Sequence, residues 1–191
     1  FDSYEGALPE SHLENIANKL PSHIENPESK VSVYYNALKN STYISCWHER
    51  RTETASMWQV YQNKGKEVAI KTTKSDFEKA LIDDETIVSG RVKYINYNNP
   101  DEFVASRISP FFYKRESFRH EEEFRAVISQ FEAPEGTAID EEFVERVADR
   151  SASGIAVDVD VDQLIDEVRV SPVAGGWVKT LVKKVINTYD M

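Results

Sequence analysis

The chain has 191 residues, 40% hydrophobic and 11% aromatic, with 7 glycines and 7 prolines, a globular composition with enough apolar material for a core and too little Gly and Pro for low complexity. Acidic residues outnumber basic ones 33 to 23, a formal net charge of −10, which opposes unspecific attraction to a phosphate backbone and demotes nucleic acid as a ligand. Cys46 is the single cysteine, so an internal disulfide and a Cys-rich zinc site are excluded and a reducing cytoplasm is the natural compartment; no apolar run reaches the length of a membrane span, and nothing resembles a cleavable leader.

The opening FDSYEGALPE reads as a loop between structured elements, and the expectation is that part of the domain precedes Phe1. In SHLENIANKLPSHI, Leu13, Ile16, Ala17 and Leu20 fall at helical spacing behind Ser11 as a cap, and Pro21 ends the pattern. VSVYYNAL is ambiguous between strand and helix, whereas STYISCW clusters β-branched and aromatic residues as strands do. A helix follows with Thr52 as its cap, Ala55, Trp58 and Tyr61 on one face, and Gly65 at its close.

EVAIKTT reads as a strand with Val68 and Ile70 alternating, SDFEKALIDD as a short capped helix, and TIVSGRVKYINY as the longest strand-like stretch. PDEFVASRI looks helical, FRAVISQF reads as a strand, and DEEFVERVADR is an acidic amphipathic helix built on Phe143, Val144 and Val147. SGIAVDVDV reads as a strand ending in Asp158, Asp160 and Asp162, QLIDEVRVSP as a helical turn and a short strand, and GGWVKTLVKKVI as a closing helix. Without repeats or a long linker, the economical reading is one mixed α+β domain over 1–191, with a central, partly antiparallel sheet and flanking helices.

Two stretches concentrate the chemistry. ISCWHERRTETASMWQVY holds Cys46, Trp47 and Trp58, with His48, Glu49, Arg50 and Arg51 between the tryptophans. Trp58 and Tyr61 at helical spacing suit a core, and Trp47 can cover a sheet edge. The four ionisable residues after Trp47, however, have no place in a sealed core without dedicated partners, and an aromatic wall beside charge also grips a nucleotide or another ring. The second stretch is KRESFRHEEEFRAVIS. Extended from Glu121, it puts Glu121, Glu123 and Arg125 on one face with the carboxylates roughly 7 Å apart, close enough to raise one pKa and divide acid and base roles. Arg125 and the Lys114-Arg115 pair can hold an anion or neutralise the carboxylates; the blander account is a charged strand end balanced by arginines.

Other groups carry less. Cys46 is read as core. His48 and His120 each precede a glutamate but lack chelate spacing, so metal is the minority reading and none is assigned. The Asp158, Asp160, Asp162 alternation lacks the glycine and glutamate of a calcium loop and reads as a strand end with a helix-capping Asp. His12 and His23 receive no role.

The series D-x-x-E-G from Asp2, SCWHE…MW-x-x-Y with VAI following, YKR-x-x-F-x-x-E-x-E-x-R and V-x-V-S-P resembles, over nearly the whole chain, a prokaryotic family classed as domain of unknown function 2971. The resemblance implies a strand and helix before Asp2 and carries no activity. The E-x-E of Glu121 and Glu123 ahead of Phe124–Ile128 is also similar to the catalytic carboxylate motif of ADP-ribosyltransferases, with TYISCW standing for their serine-bearing strand, although only Ser45 of a Ser-Thr-Ser element is present. That likeness implies NAD as substrate, with Glu123 stabilising an oxocarbenium-like ribose as nicotinamide leaves and Glu121 orienting the acceptor. Ser45 would support the nicotinamide ribose, Arg115 the pyrophosphate, and Trp47 or Trp58 would stack on a ring, with His48, Glu49, Tyr61 and Arg125 completing the ligand-binding set. The opposing expectation is a non-catalytic nucleotide- or protein-binding module whose charged stretches form a structural network. In either case the two stretches are expected around one concavity.

Overall fold

A computed structural model describes residues 5–60, 66–82, 86–99, 103–104, 106–132, 141–150 and 153–189. In chain order its elements are α1 (Glu10–Ala17), α2 (Pro27–Asn40), β1 (Thr42–His48), α3 (Ala55–Val60), β2 (Val68–Lys71), α4 (Lys74–Ala80), β3 (Ile87–Arg91), β4 (Lys93–Ile95), β5 (Tyr113–Arg115), β6 (Glu123–Ser129), α5 (Glu141–Arg150), α6 (Val161–Leu164), β7 (Glu167–Val170) and α7 (Gly176–Tyr189), with 3-10 turns at Ser109–Phe112 and Glu116–Glu121. The architecture is α+β, as the alternation of element types predicts. Two compact units can be distinguished, one from Phe1–Glu49 and Thr86–Ile155, the other from Arg50–Glu85 and Ala156–Met191.

In the first unit, β6 is the middle strand of an antiparallel sheet in the order β1-β6-β3. Its register runs from Thr42 opposite Ser129 to His48 opposite Glu123 on one side, and from Ile87 opposite Ile128 to Arg91 opposite Phe124 on the other. Above it lies a core of Ala37, Leu38, Phe111, Val127, Phe131 and Phe143, in which the Phe131 ring meets Tyr34 and Phe143 edge-on at 5.3 and 6.0 Å. The ambiguous VSVYYNAL is helical. Pro27 presets the first turn of α2, and the buried Val31, Ala37 and Leu38 recur at helical rather than alternating spacing. The Ser41 and Thr42 hydroxyls then close the helix by donating to Ala37 O and Leu38 O at 2.8 and 2.6 Å. Helix α1 begins after Pro9 without a side-chain cap, so Ser11 lies inside it, and it ends at Ala17, short of Leu20.

Two expectations in this unit need correction. TIVSGRVKYINY is not one strand. Strand β6 starts only at Glu123, because Glu122 turns the chain at φ 41°, so the register with β3 ends at Arg91 opposite Phe124. Val92 N donates to Glu123 O at 2.9 Å, and the next residues leave to pair in parallel with β5, Lys93 opposite Tyr113. PDEFVASRI is not helical at its described residues 103, 104 and 106–108. Ser106 and Ser109 each accept the other's backbone N–H, at 3.0 and 2.8 Å, a local exchange that competes with helix formation.

In the second unit, β2 and β7 pair antiparallel, Val68 opposite Val170 and Lys71 opposite Glu167, and Lys71 Nζ reaches the Glu167 carboxylate at 3.3 Å. Helix α3 is capped by Thr54, which accepts from Met57 N at 3.2 Å; Thr52, the expected cap, lies before it. Tyr61 and Gly65 fall outside the described residues. Thr73 caps α4 by accepting from Asp76 N at 3.1 Å, and Asp160 caps α6 by accepting from Gln163 N at 3.1 Å. The two short helices pack together, with Gln163 Nε2 on Asp76 Oδ1 at 2.8 Å. SGIAVDVDV, expected as a strand, makes only an isolated bridge from Val159 to Leu81. Two backbone bonds make that bridge, Ile82 N to Asp158 O at 3.3 Å and Asp160 N to Ala80 O at 2.8 Å. No helix among the described residues is long and apolar enough to cross a membrane.

Removing the Thr73 hydroxyl in Thr73→Ala should cost about 1 kcal/mol and lower the melting temperature by roughly 3 °C. Calorimetry checks this, and an unchanged midpoint would show that the cap contributes nothing.

Candidate functional site

Residues directly opposite in an antiparallel pair share a face, and successive residues alternate. The register therefore places Glu123, Arg125 and Val127 on the same face as His48, Cys46 and Ile44, with Gly90 opposite Arg125 from β3. Glycine suits that position because a Cβ would come within 3.3 Å of the Phe112 ring. The other face holds Ser45 and Trp47 against Ala126 and Phe124, and Trp47 Nε1 donates to Ser45 Oγ at 3.1 Å. The expected single constellation is thus divided by the pleat. Trp47 and Ser45 lie across the sheet from the carboxylate they were expected to serve.

The centre of the Glu123 face is Arg125, whose side chain is 0% exposed. Its Nε donates to Glu123 Oε2 and its Nη1 to Phe111 O, both at 2.6 Å, while Nη2 pairs with Glu5. The other Glu123 oxygen, Oε1, accepts from Lys114 Nζ at 2.9 Å, and the same ammonium bonds the Glu121 carboxylate. Glu121 is not on the strand, as the extended reading expects. It closes the 3-10 turn Glu116–Glu121, and the left-handed Glu122 redirects the chain, so the two carboxylates meet on Lys114 instead of standing side by side.

The backbone here is equally committed. His48 Nδ1 bonds Glu121 O and must carry the proton, since a carbonyl only accepts. Glu49 N donates to Glu122 O at 2.8 Å, and Glu123 N donates to the Tyr94 hydroxyl at 2.8 Å. His48 Nε2 is buried with no hydrogen-bond partner among the described residues.

Glu5 and Tyr94 are the members that residue-by-residue reading missed. Glu5 did have a signal, since it stands in the D-x-x-E-G series beside Gly6. Gly6 has φ 72°, and a Cβ there would come within 2.9 Å of the Phe111 ring, so a glycine next to Glu5 lets the chain pass over the residue whose carbonyl holds Arg125.

The remaining candidates lie at the margin or elsewhere. Glu49 forms a two-pronged pair with the exposed Arg91, both contacts at 2.6 Å. The Arg115 guanidinium lies over the Phe118 ring at 5.2 Å. Trp58 belongs to the second unit, where its Nε1 donates to Glu53 Oε2 at 2.8 Å, and Tyr61 lies outside the described residues. His120 accepts a surface role, bonding Ser117 O at 3.2 Å. His12, given no role by its sequence, donates to Phe103 O at 3.0 Å and packs edge-on against that ring.

Among the described residues, the side chains close enough to share a cation are Glu5, Cys46 and Glu123, with ligand atoms within 4.8 Å of one another. That group contains neither His48 nor His120, and its two carboxylates are already engaged by Arg125 and Lys114. Cys46, expected in the core, is exposed as a residue. It sits on an edge strand whose open side has no partner strand among the described residues. Protein packed around its Sγ, reinforced by the Glu123 charge, nevertheless pushes the thiol up to about 11.

Burial alone would raise the Glu123 carboxyl, but the Arg125 charge and the Lys114 hydrogen bond outweigh it and hold the group below its ordinary value. For Lys114, burial opposes the charge, and the hydrogen bonds it donates to Glu121 and Glu123 raise it well above its ordinary value. No protein-family model matches the chain, nor does any curated protein or solved structure.

A lowered folded-state carboxyl stabilises the fold above its unfolded value and loses that contribution as pH falls through the folded value; a raised ammonium stabilises below its unfolded value and loses it as pH rises through the folded one. Melting temperature should therefore be level between about pH 5 and pH 8 and fall on the acid side below about pH 4, and it should decline again above about pH 9, where the unfolded thiol ionises while the raised Cys46 thiol of the fold does not. In Lys114→Met the level region should sit lower and the acid limb should become shallower, as pH-dependent melting curves would show. The thiol makes a separate prediction: iodoacetamide should modify Cys46 slowly at pH 8, with a rate still rising at pH 10. Rapid alkylation at pH 7 would contradict the carboxylate environment.

Proposed function

We propose that this chain is a non-catalytic binding module in which Glu121, Glu123 and Arg125 brace the fold. The observation that supports this reading is the state of Glu123, 6% exposed, with one oxygen on Lys114 and the other on Arg125 at 2.9 and 2.6 Å. Two cations spend the negative charge that a ribose oxocarbenium needs. Turning the carboxylate to a substrate would also leave the fully buried Arg125 guanidinium with only one of its two counter-ions, Glu5, at a cost of several kcal/mol.

A second reading keeps one supporting observation. TYISCW, as β1, lies directly beside the strand that follows the E-x-E, with His48 opposite Glu123, an adjacency in keeping with an ADP-ribosyltransferase-like enzyme using NAD. Ser45 on the opposite face weighs against it. The likeness to the domain of unknown function 2971 family accommodates either reading, and a cytoplasmic location rests on the lone cysteine.

Glu123→Gln discriminates between them. On the bracing reading, removing one partner of a buried ionic cluster costs about 3–5 kcal/mol and lowers the melting temperature by roughly 10 °C, while wild type gives no heat on titration with NAD and releases no nicotinamide. Nicotinamide release by wild type that disappears in a folded Glu123→Gln protein, melting within a degree or two of wild type, would overturn the module reading in favour of the enzyme.

A further inference from the structure

Helix α7 has the sequence GWVKTLVKKVINTY, and its apolar residues form two parallel rows. Val178, Val182 and Ile186, at i, i+4 and i+8, turn inward; Val178 is 4% exposed and the other two are partly covered. One position earlier in each turn come Trp177, Leu181 and Val185, which are 58%, 51% and 45% exposed. At 100° per residue the two rows are adjacent, so the helix carries an apolar face about twice as wide as the part that is covered.

The charges carried by α7 itself have one sign. Helix α7 contains Lys179, Lys183 and Lys184 and no acidic residue, in a chain where acids outnumber bases 33 to 23. By helical position Lys184 borders the open row on the side away from the inward one, and Lys66 Nζ lies 5.9 Å from the centre of the Trp177 ring. An apolar row edged by lysines is complementary to a helix with its own apolar row edged by carboxylates.

From this complementarity we infer that the Trp177, Leu181 and Val185 row of α7 is a docking surface for an acidic amphipathic helix of a partner protein. The inference deepens the binding-module reading, on which it rests, by giving the module a surface and its partner a chemistry. A second copy fits less well: antiparallel self-pairing about Leu181 would bring Lys184 of one chain toward Lys66 and Trp177 of the other, cation against cation. An anionic bilayer fits less well too, because the net charge of −10 is repelled by such a surface.

The test uses the whole chain and two synthetic fluorescein-labelled helical peptides about four turns long, each with leucines at i, i+4 and i+8. One is flanked by glutamates and the other by lysines in the same positions. Fluorescence anisotropy should show the acidic peptide binding at least roughly tenfold more tightly than the basic one, a preference that shrinks as salt is raised. Leu181→Asp should abolish binding of the acidic peptide. The double variant Lys66→Glu, Lys184→Glu should invert the preference, an outcome that misfolding cannot imitate.

Equal binding of the two peptides, or no binding of either, would overturn the inference. So would a dimer in sedimentation that Leu181→Asp disperses, or co-sedimentation with phosphatidylglycerol vesicles that Leu181→Asp abolishes. None of these results moves the NAD titration or the melting of Glu123→Gln, so failure of this surface and failure of the module reading remain distinguishable.

Discussion

A guanidinium removed entirely from water must find its acceptors inside the protein, and Arg125 finds them in three parts of the chain. It binds Glu123 on its own strand, the carbonyl of Phe111 in a 3-10 turn, and Glu5 in the segment before α1. Lys114 then supplies the charge that lets Glu121 and Glu123 approach one another. An apolar cluster of the same volume would often be as stable. What the ionic one adds is direction: each donor accepts only one placement of its partner, and a slip of the β6 register by one residue would carry Arg125 to the opposite face, away from all of them.

The same alternation explains why a dense stretch of sequence is not a dense site. Ser45 and Trp47 are chain neighbours of Cys46 and His48, yet in β1 the two pairs look out from opposite faces. The residues that meet Glu123 come instead from distant segments, among them Lys114 and Glu5. Short-range clustering of unusual side chains measures composition, whereas a site is made by register.

Much of the fold was legible for an equally physical reason. The β1 and β6 segments, the acidic α5 and the closing α7 announce themselves by periodicity. Errors fell where a long-range bond overrides local preference. Glu122 at φ 41° delays the start of β6 and so splits TIVSGRVKYINY, and the Ser106 and Ser109 hydroxyls unmake an apparent helix. The site was half legible. Glu123 and Arg125 are where alternation puts them, but their neutralisation by Lys114 depends on a left-handed residue that no spacing rule reveals. Glu5 was visible only as part of a longer series of residues and had no chemistry of its own until Arg125 was placed opposite it.

The β2–β7 ribbon has a consequence for how the protein is made. Lys71 and Glu167, its cross-strand ion pair, are 96 residues apart in the chain, and most of the first unit is encoded between them. During synthesis, β2 therefore leaves the ribosome without the backbone partners that β7 supplies and waits for most of the larger unit to emerge before β7 can join it. Such late closure of a non-local pair is slow and leaves an exposed strand edge in the interval. Lys66, Lys71 and Lys74, set close around that strand, are the kind of charged flank that keeps a waiting edge from pairing with another chain.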